Sequence, residues 1–189
     1  KPKLPGDFQI ANFTLAKEAV KYFTFRYFPS RVGRLKLAIV TAARKTFIPG
    51  RFEVVQKNPL TILDGAHNSA KMNALVSSIK HLYPKTKFLT VVAVKGDKSI
   101  KSMLRQLDSI TDRYIFTRFT QTTDLGKGLA YDPTFLSMYT KKPTQVVANS
   151  VQAIRKAQII SQKNNLPILI TGSLYLVGEV RKLWRYKTI

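Results

Sequence analysis

The chain has 189 residues, no cysteine, and 32 Lys and Arg against 10 Asp and Glu, a formal net charge of +22. Its length suits one domain, or one domain with part of another, and at 44% hydrophobic residues it can bury a core, which excludes a disordered chain. The lack of cysteine excludes disulfides and thiolate catalysis and fits a reducing compartment, so the expected location is cytoplasmic. No run approaches the ~20 apolar residues of a membrane span. The start, Lys1-Pro-Lys-Leu-Pro, is no signal peptide and has no initiator methionine, so a fragment is expected. The positive charge would attract polyanions, but the lysines are scattered over every segment, and a well-solvated surface accounts for them equally well.

Residues 1–48 read as helical. Asn12 or Thr14 is the expected cap of a first helix that carries Phe13, Leu15, Ala16, Ala19, Val20, Phe23 and Tyr27 and ends at Phe28-Pro29. Leu35 to Ala43 predicts a second helix, stopped near Pro49-Gly50. From Arg51 the pattern changes to strands alternating with helices. Strands are expected over Arg51–Gln56, Leu60–Leu63, Phe88–Val94, Tyr114–Thr117, Gln145–Ala148 and Leu166–Ile170. Helices are expected from Asn68 or Ser69 to about Tyr83, over Ser99–Leu107, after Asp132-Pro133, over Val151–Lys163 and over Leu174–Trp184. Residues 118–130, polar and glycine-bearing, read as a surface loop. The fold class that follows is α/β: a Rossmann-like, mainly parallel sheet with helices on both faces, preceded by a short all-helical segment.

The stretch from Leu60 to Ala70 organises the rest. A buried strand ends in Asp64, a glycine turn follows, and a helix begins; in such sheets ligands bind at the carboxyl ends of the strands. Asp64 suits either a ribose diol or the capping of its own turn. His67 can donate to phosphate or carboxylate, or serve as a structural hydrogen-bonding group. Lys98 precedes a helix start, where a bound anion would offset the dipole's repulsion of a cation, or it is simply solvated. Ser173, after Thr171-Gly172, can cap its helix or meet a carboxylate or phosphate. With only two histidines, a histidine metal cluster is excluded. There is no Walker A sequence: the Gly96-to-Ser99 stretch lacks the required glycines. There is no Gly-x-Ser-x-Gly elbow either.

Four stretches taken in order, Pro49 to Glu53, Leu63 to Asn68, Gly96 to Lys98 and Ile170 to Arg181, resemble folylpolyglutamate synthase/dihydrofolate synthase, of the ATP-dependent Mur ligase superfamily. Gly6 to Asn12 resembles the segment that closes that family's central domain. The resemblance implies that residues 49–189 form the family's C-terminal Rossmann-like ligase domain, and that residues 1–48 are the terminal helices of its central ATPase domain. It implies nucleotide contacts for Asn12, Arg51 and Asp64, with Asp64 on the ribose. It implies a catalytic place for His67 and Lys98 near the phosphates and the reacting carboxylate, and glutamate contacts for Lys98 and Ser173. The implied ligands are ATP, Mg, glutamate and folate or dihydropteroate. The family's P-loop and magnesium ligands lie in its N-terminal part, so no metal ligand is expected in this chain, and the chain is expected to be an incomplete, inactive enzyme. Ser69 stands where the family usually has proline. The alternatives are the matching domain of a cell-wall Mur ligase and a basic nucleic-acid-binding module. The Asp-Gly-Ala-His-Asn stretch favours the folate branch over the first. The dispersed basic residues, without interleaved aromatics, speak against the second.

Overall fold

The computed structural model describes residues 6–96, 99–120 and 130–184. The chain divides into two compact units, residues 1–49 and 50–189. The first is a helical pair: α1 (Asp7–Tyr27), a 3-10 turn at Pro29–Arg31, and α2 (Val32–Lys45). Helix α1 begins at Asp7 rather than at Asn12 or Thr14, both of which lie inside it. An Asn or Thr is tolerated in a helix interior when its side chain is solvated or bonds back one turn, as the Thr14 hydroxyl does to the Ile10 carbonyl at 2.9 Å. Among the described residues of this unit only Gln9 and Ala43 are buried, while Leu15, Phe23, Phe25, Tyr27 and Leu37 are each more than half exposed.

The second unit is a six-stranded sheet in the order β1-β2-β6-β3-β4-β5. Its strands are β1 (Glu53–Lys57), β2 (Leu60–Leu63), β3 (Phe88–Val92), β4 (Thr111–Arg118), β5 (Thr144–Asn149) and β6 (Ile168–Thr171). Strand β1 pairs antiparallel with β2 across the Asn58-Pro59 turn, and every other pairing is parallel. The intervening helices are α3 (Ser69–Leu82), α4 (Ile100–Asp108), α5 (Pro133–Ser137), α6 (Ser150–Asn164) and α7 (Leu174–Val180), the last continued by a 3-10 turn at Arg181–Trp184.

Strand β1 begins two residues later than its residue types suggest. Gly50 and Phe52 both have positive φ, +67° and +47°, so the chain turns there instead of extending. Strand β3 is buried at all five positions, as a central strand covered on both faces must be. Leu89, Val91 and Ala93 join Ala153, Ile154 and Ala157 of α6 and Leu176, Val177 and Val180 of α7 in one core. The alternate residues Phe88, Thr90 and Val92 are buried too, and by the two-residue period they face the other side, where α3 and α4 pack together. The sheet is thus covered on both faces.

The strand order departs from the chain order at one point. Asp64 and Lys98 follow β2 and β3, which are consecutive in the chain but not in the sheet, since β6 lies between them. The chain leaves β2, skips one place to β3, runs out to β5 and returns through α6 to fill the gap. The returning strand is Ile168–Thr171, wholly buried and without a charge, which suits the middle of a sheet.

Candidate functional site

The reversal of strand order creates the site. Strand β2 feeds α3 on one face and β6 feeds α7 on the other, so the loops at their carboxyl ends diverge, and in such sheets this is where ligands bind. The two loops are nonetheless tied at their base. The Asp64 N–H donates to the Ile170 carbonyl at 3.0 Å, and the Gly172 N–H donates to the Ala66 carbonyl at 3.0 Å. Gly172 takes φ +100°, and a β-carbon there would lie 2.5 Å from the Ala93 carbonyl oxygen, so only glycine lets β6 turn so close to β3.

Asp64 is 3% exposed. One carboxylate oxygen accepts the Phe52 N–H at 2.8 Å and the other the Ala66 N–H at 2.8 Å. It therefore closes its own turn and also fastens the loop before β1. Burial pushes its carboxyl above the usual range; the two N–H bonds and the charges of Arg51 and Lys71 pull the other way without cancelling the rise.

His67 sits just before α3. Its Nδ1 is 2.8 Å from the Gly65 carbonyl oxygen and its Nε2 is 3.1 Å from the Lys71 ammonium. A carbonyl can only accept, so Nδ1 carries the proton, and Nε2 accepts from Lys71. Asn68 caps α3 by accepting the Lys71 N–H at 2.9 Å. Ser69 links two helices: its hydroxyl lies 2.7 Å from that of Ser102 and accepts from Gln106 at 2.9 Å.

Ser173 caps α7, its Oγ accepting the Tyr175 N–H at 3.1 Å, and it is buried. Next to it, the Thr171 hydroxyl is fully buried and has no hydrogen-bond partner among the described residues. Arg51, Asp64, His67 and Ser173 all therefore belong to the carboxyl edge at β2 and β6. Lys98 lies outside the described residues. Asn12 is exposed on α1 and lines an apolar groove of about 460 Å³ within the helical unit, with Gln9, Ala16 and Ile39. Glu53 and Arg181, which the residue reading passed over, form a partly buried ion pair with Nη2 2.9 Å from Oε1. Their separation by 128 residues hides the pair from any local pattern. Among the described residues no three His, Asp or Glu side chains are grouped to hold a metal ion.

A family model described as the C-terminal domain of dihydrofolate synthetase matches residues 50–183. The dihydrofolate synthase/folylpolyglutamate synthase of Bacillus subtilis is 31% identical over 139 residues, 71% of this chain and 30% of that protein. The dihydrofolate synthetase of Saccharomyces cerevisiae is 29% identical over 198 residues, 96% of this chain and 45% of that protein. A crystal structure of Mycobacterium tuberculosis folylpolyglutamate synthase, complexed with ADP and AMPPCP, shares the fold, with a TM-score of 0.81 at 24% identity over 98% of this chain and 42% of that one. The chain thus spans less than half the length of these relatives. Because the family match runs unbroken through every strand and helix from Gly50 to Leu183, the chain belongs to the dihydrofolate synthetase family, as its C-terminal domain with a helical pair before it.

Proposed function

We propose that this chain is the C-terminal part of an ATP-dependent ligase that adds glutamate to folate or dihydropteroate in the cytoplasm. Residues 1–48 are the terminal helices of the central ATPase domain and residues 49–189 the ligase domain. The observation that carries the reading is the convergence of Arg51, Asp64 and His67 at the carboxyl edge of β2, in a domain matched by the family model. One relative of the same fold is complexed with ADP and AMPPCP.

In the proposed reaction a folate or dihydropteroate carboxylate takes the terminal phosphoryl group of ATP, giving an acyl phosphate and ADP. The glutamate amine then attacks the acyl carbon, loses a proton and expels phosphate. The domain's task is to neutralise clustered negative charge and to align amine and acyl group. Arg51 supplies positive charge to the nucleotide and Asp64 accepts from the ribose through lone pairs its two main-chain bonds leave over. His67 serves the phosphates and the reacting carboxylate, and Ser173 the incoming glutamate. The buried Thr171 hydroxyl beside it gains a partner when a ligand or water enters. The roles of Asn12 in nucleotide binding and of Lys98 in catalysis and glutamate binding stand on the family resemblance alone.

Calorimetric titration with AMPPCP tests the nucleotide part. The chain should bind, and Arg51→Ala should weaken binding by about tenfold or more, the loss of a charge-assisted hydrogen bond of roughly 1.5–3 kcal/mol. No heat at millimolar nucleotide, or equal affinity for Arg51→Ala, overturns it. The same preparation should show no glutamate ligation, since no P-loop sequence is present; sustained turnover would refute the incomplete-enzyme reading.

A further inference from the structure

We propose that Glu53 and Arg181 form a positioning pair that holds Arg51 in its nucleotide-facing geometry; this rests on the reading of Arg51 given above. Arg51 lies between two residues in the left-handed region, Gly50 at φ +67° and Phe52 at φ +47°. Glycine adopts that geometry freely, whereas a bulky residue does so only when its surroundings impose it.

Those surroundings grip both neighbours of Arg51. On one side the Phe52 ring is buried and its N–H is held by Asp64 at 2.8 Å. On the other, the Gly50 N–H donates to Glu53 Oε2 at 2.8 Å, and the Gly50 carbonyl accepts the Gly65 N–H at 2.8 Å. The Glu53 carboxylate is in turn fixed by Arg181, whose Nε lies 3.0 Å and 2.9 Å from its two oxygens. Helix α7 backs the turn directly: a β-carbon on Gly50 would lie 2.7 Å from a Val177 methyl, and one on Gly65 2.1 Å from a Leu174 methyl. Arg181 begins the turn that continues that same helix.

An unconstrained arginine loses much side-chain and backbone freedom when it meets a ligand, and that loss subtracts from affinity. Here the backbone on both sides of Arg51 is ordered beforehand, from the far end of the chain. Replacing the Glu53 carboxylate by an amide leaves one acceptor oxygen where two served the Gly50 N–H and Arg181, and removes the charge that Arg181 pairs with. Arg51 remains, but its point of departure is no longer set.

A double-mutant cycle on the full chain tests this, with AMPPCP affinity as the readout and thermal melting alongside. Glu53→Gln alone should weaken binding about fivefold to tenfold, but in an Arg51→Ala background it should weaken binding no further, because its effect passes through Arg51. Arg181→Lys keeps the charge and loses the two-pronged geometry, and should reproduce the effect should Glu53→Gln fail to fold. A drop of the same size with and without Arg51, or unchanged affinity in a folded Glu53→Gln or Arg181→Lys chain, makes the pair purely structural and overturns the inference while the nucleotide reading stands. Wild-type chain that binds no AMPPCP overturns both.

Discussion

Asp64 is the residue at which folding and the proposed function meet. Its carboxylate is buried, bonded through both oxygens to main-chain N–H groups, and pushed above its ordinary pKa mainly by burial. A carboxyl whose folded pKa exceeds its unfolded value contributes stability that is fully present below about pH 3.9, the unfolded value, and lost as pH rises through the folded value. Ionised Asp64 is therefore tolerated for its geometry, at a cost to the fold. Asp64→Asn removes the titration while roughly keeping the size. The stability of the wild-type chain relative to Asp64→Asn should accordingly decline as pH is raised from 4 towards 7, as measured by urea unfolding. A difference that is flat or grows with pH would show that the N–H bonds, not burial, dominate.

Helices α3, α6 and α7 start where their capping residues stand. Asn68, Asn149 and Ser173 each accept a main-chain N–H two or three residues on, and each follows a strand directly or by a short turn. Asn149 is the cleanest test, because it caps α6 and belongs to no part of the proposed site. Asn149→Ala should lower stability by about 1 kcal/mol, read from the urea midpoint, and leave AMPPCP affinity unchanged. Strands were less sharply bounded in the residues. Pairing decides where a strand ends: Thr111 and Arg118 extend β4 beyond its apolar middle because β3 and β5 offer partners. The turn at Gly50–Phe52 shortens β1 for the opposite reason, since its N–H groups bond to side chains instead of to a neighbouring strand.

At the scale of the whole molecule the two units differ in how well each buries itself. Unit 50–189 has a core on both faces of its sheet, whereas the helical pair leaves most of its large side chains exposed and an apolar groove of about 720 Å³ rimmed by Lys17, Lys21, Lys36 and Arg44. Residues 50–189 expressed alone should therefore unfold in one cooperative transition close to that of the longer chain, whereas residues 1–49 alone should show little helix by circular dichroism, because the pair buries too little apolar surface to hold two helices together. A broad, non-cooperative melt of 50–189 would mean that the sheet unit depends on the helices. Among the described residues no helix is long and apolar enough to cross a membrane.

The residues by themselves determined the class of fold, the alternation of strands and helices after Arg51, and the start of α3 at Asn68 or Ser69. Those are local properties: a period of two or of 3.6, a cap, a glycine turn, each readable within about a dozen positions. The folate branch was also legible, because four short stretches occur in the family's order, and the family match bears it out. Only the tertiary structure decided that β6 lies between β2 and β3, that Phe52 takes a left-handed conformation, and that Arg181 reaches Glu53. Strand order and distant ion pairs depend on which buried surfaces meet once the chain has closed, and a central strand such as Ile168–Thr171 shows only that it is apolar, not between which neighbours it will lie.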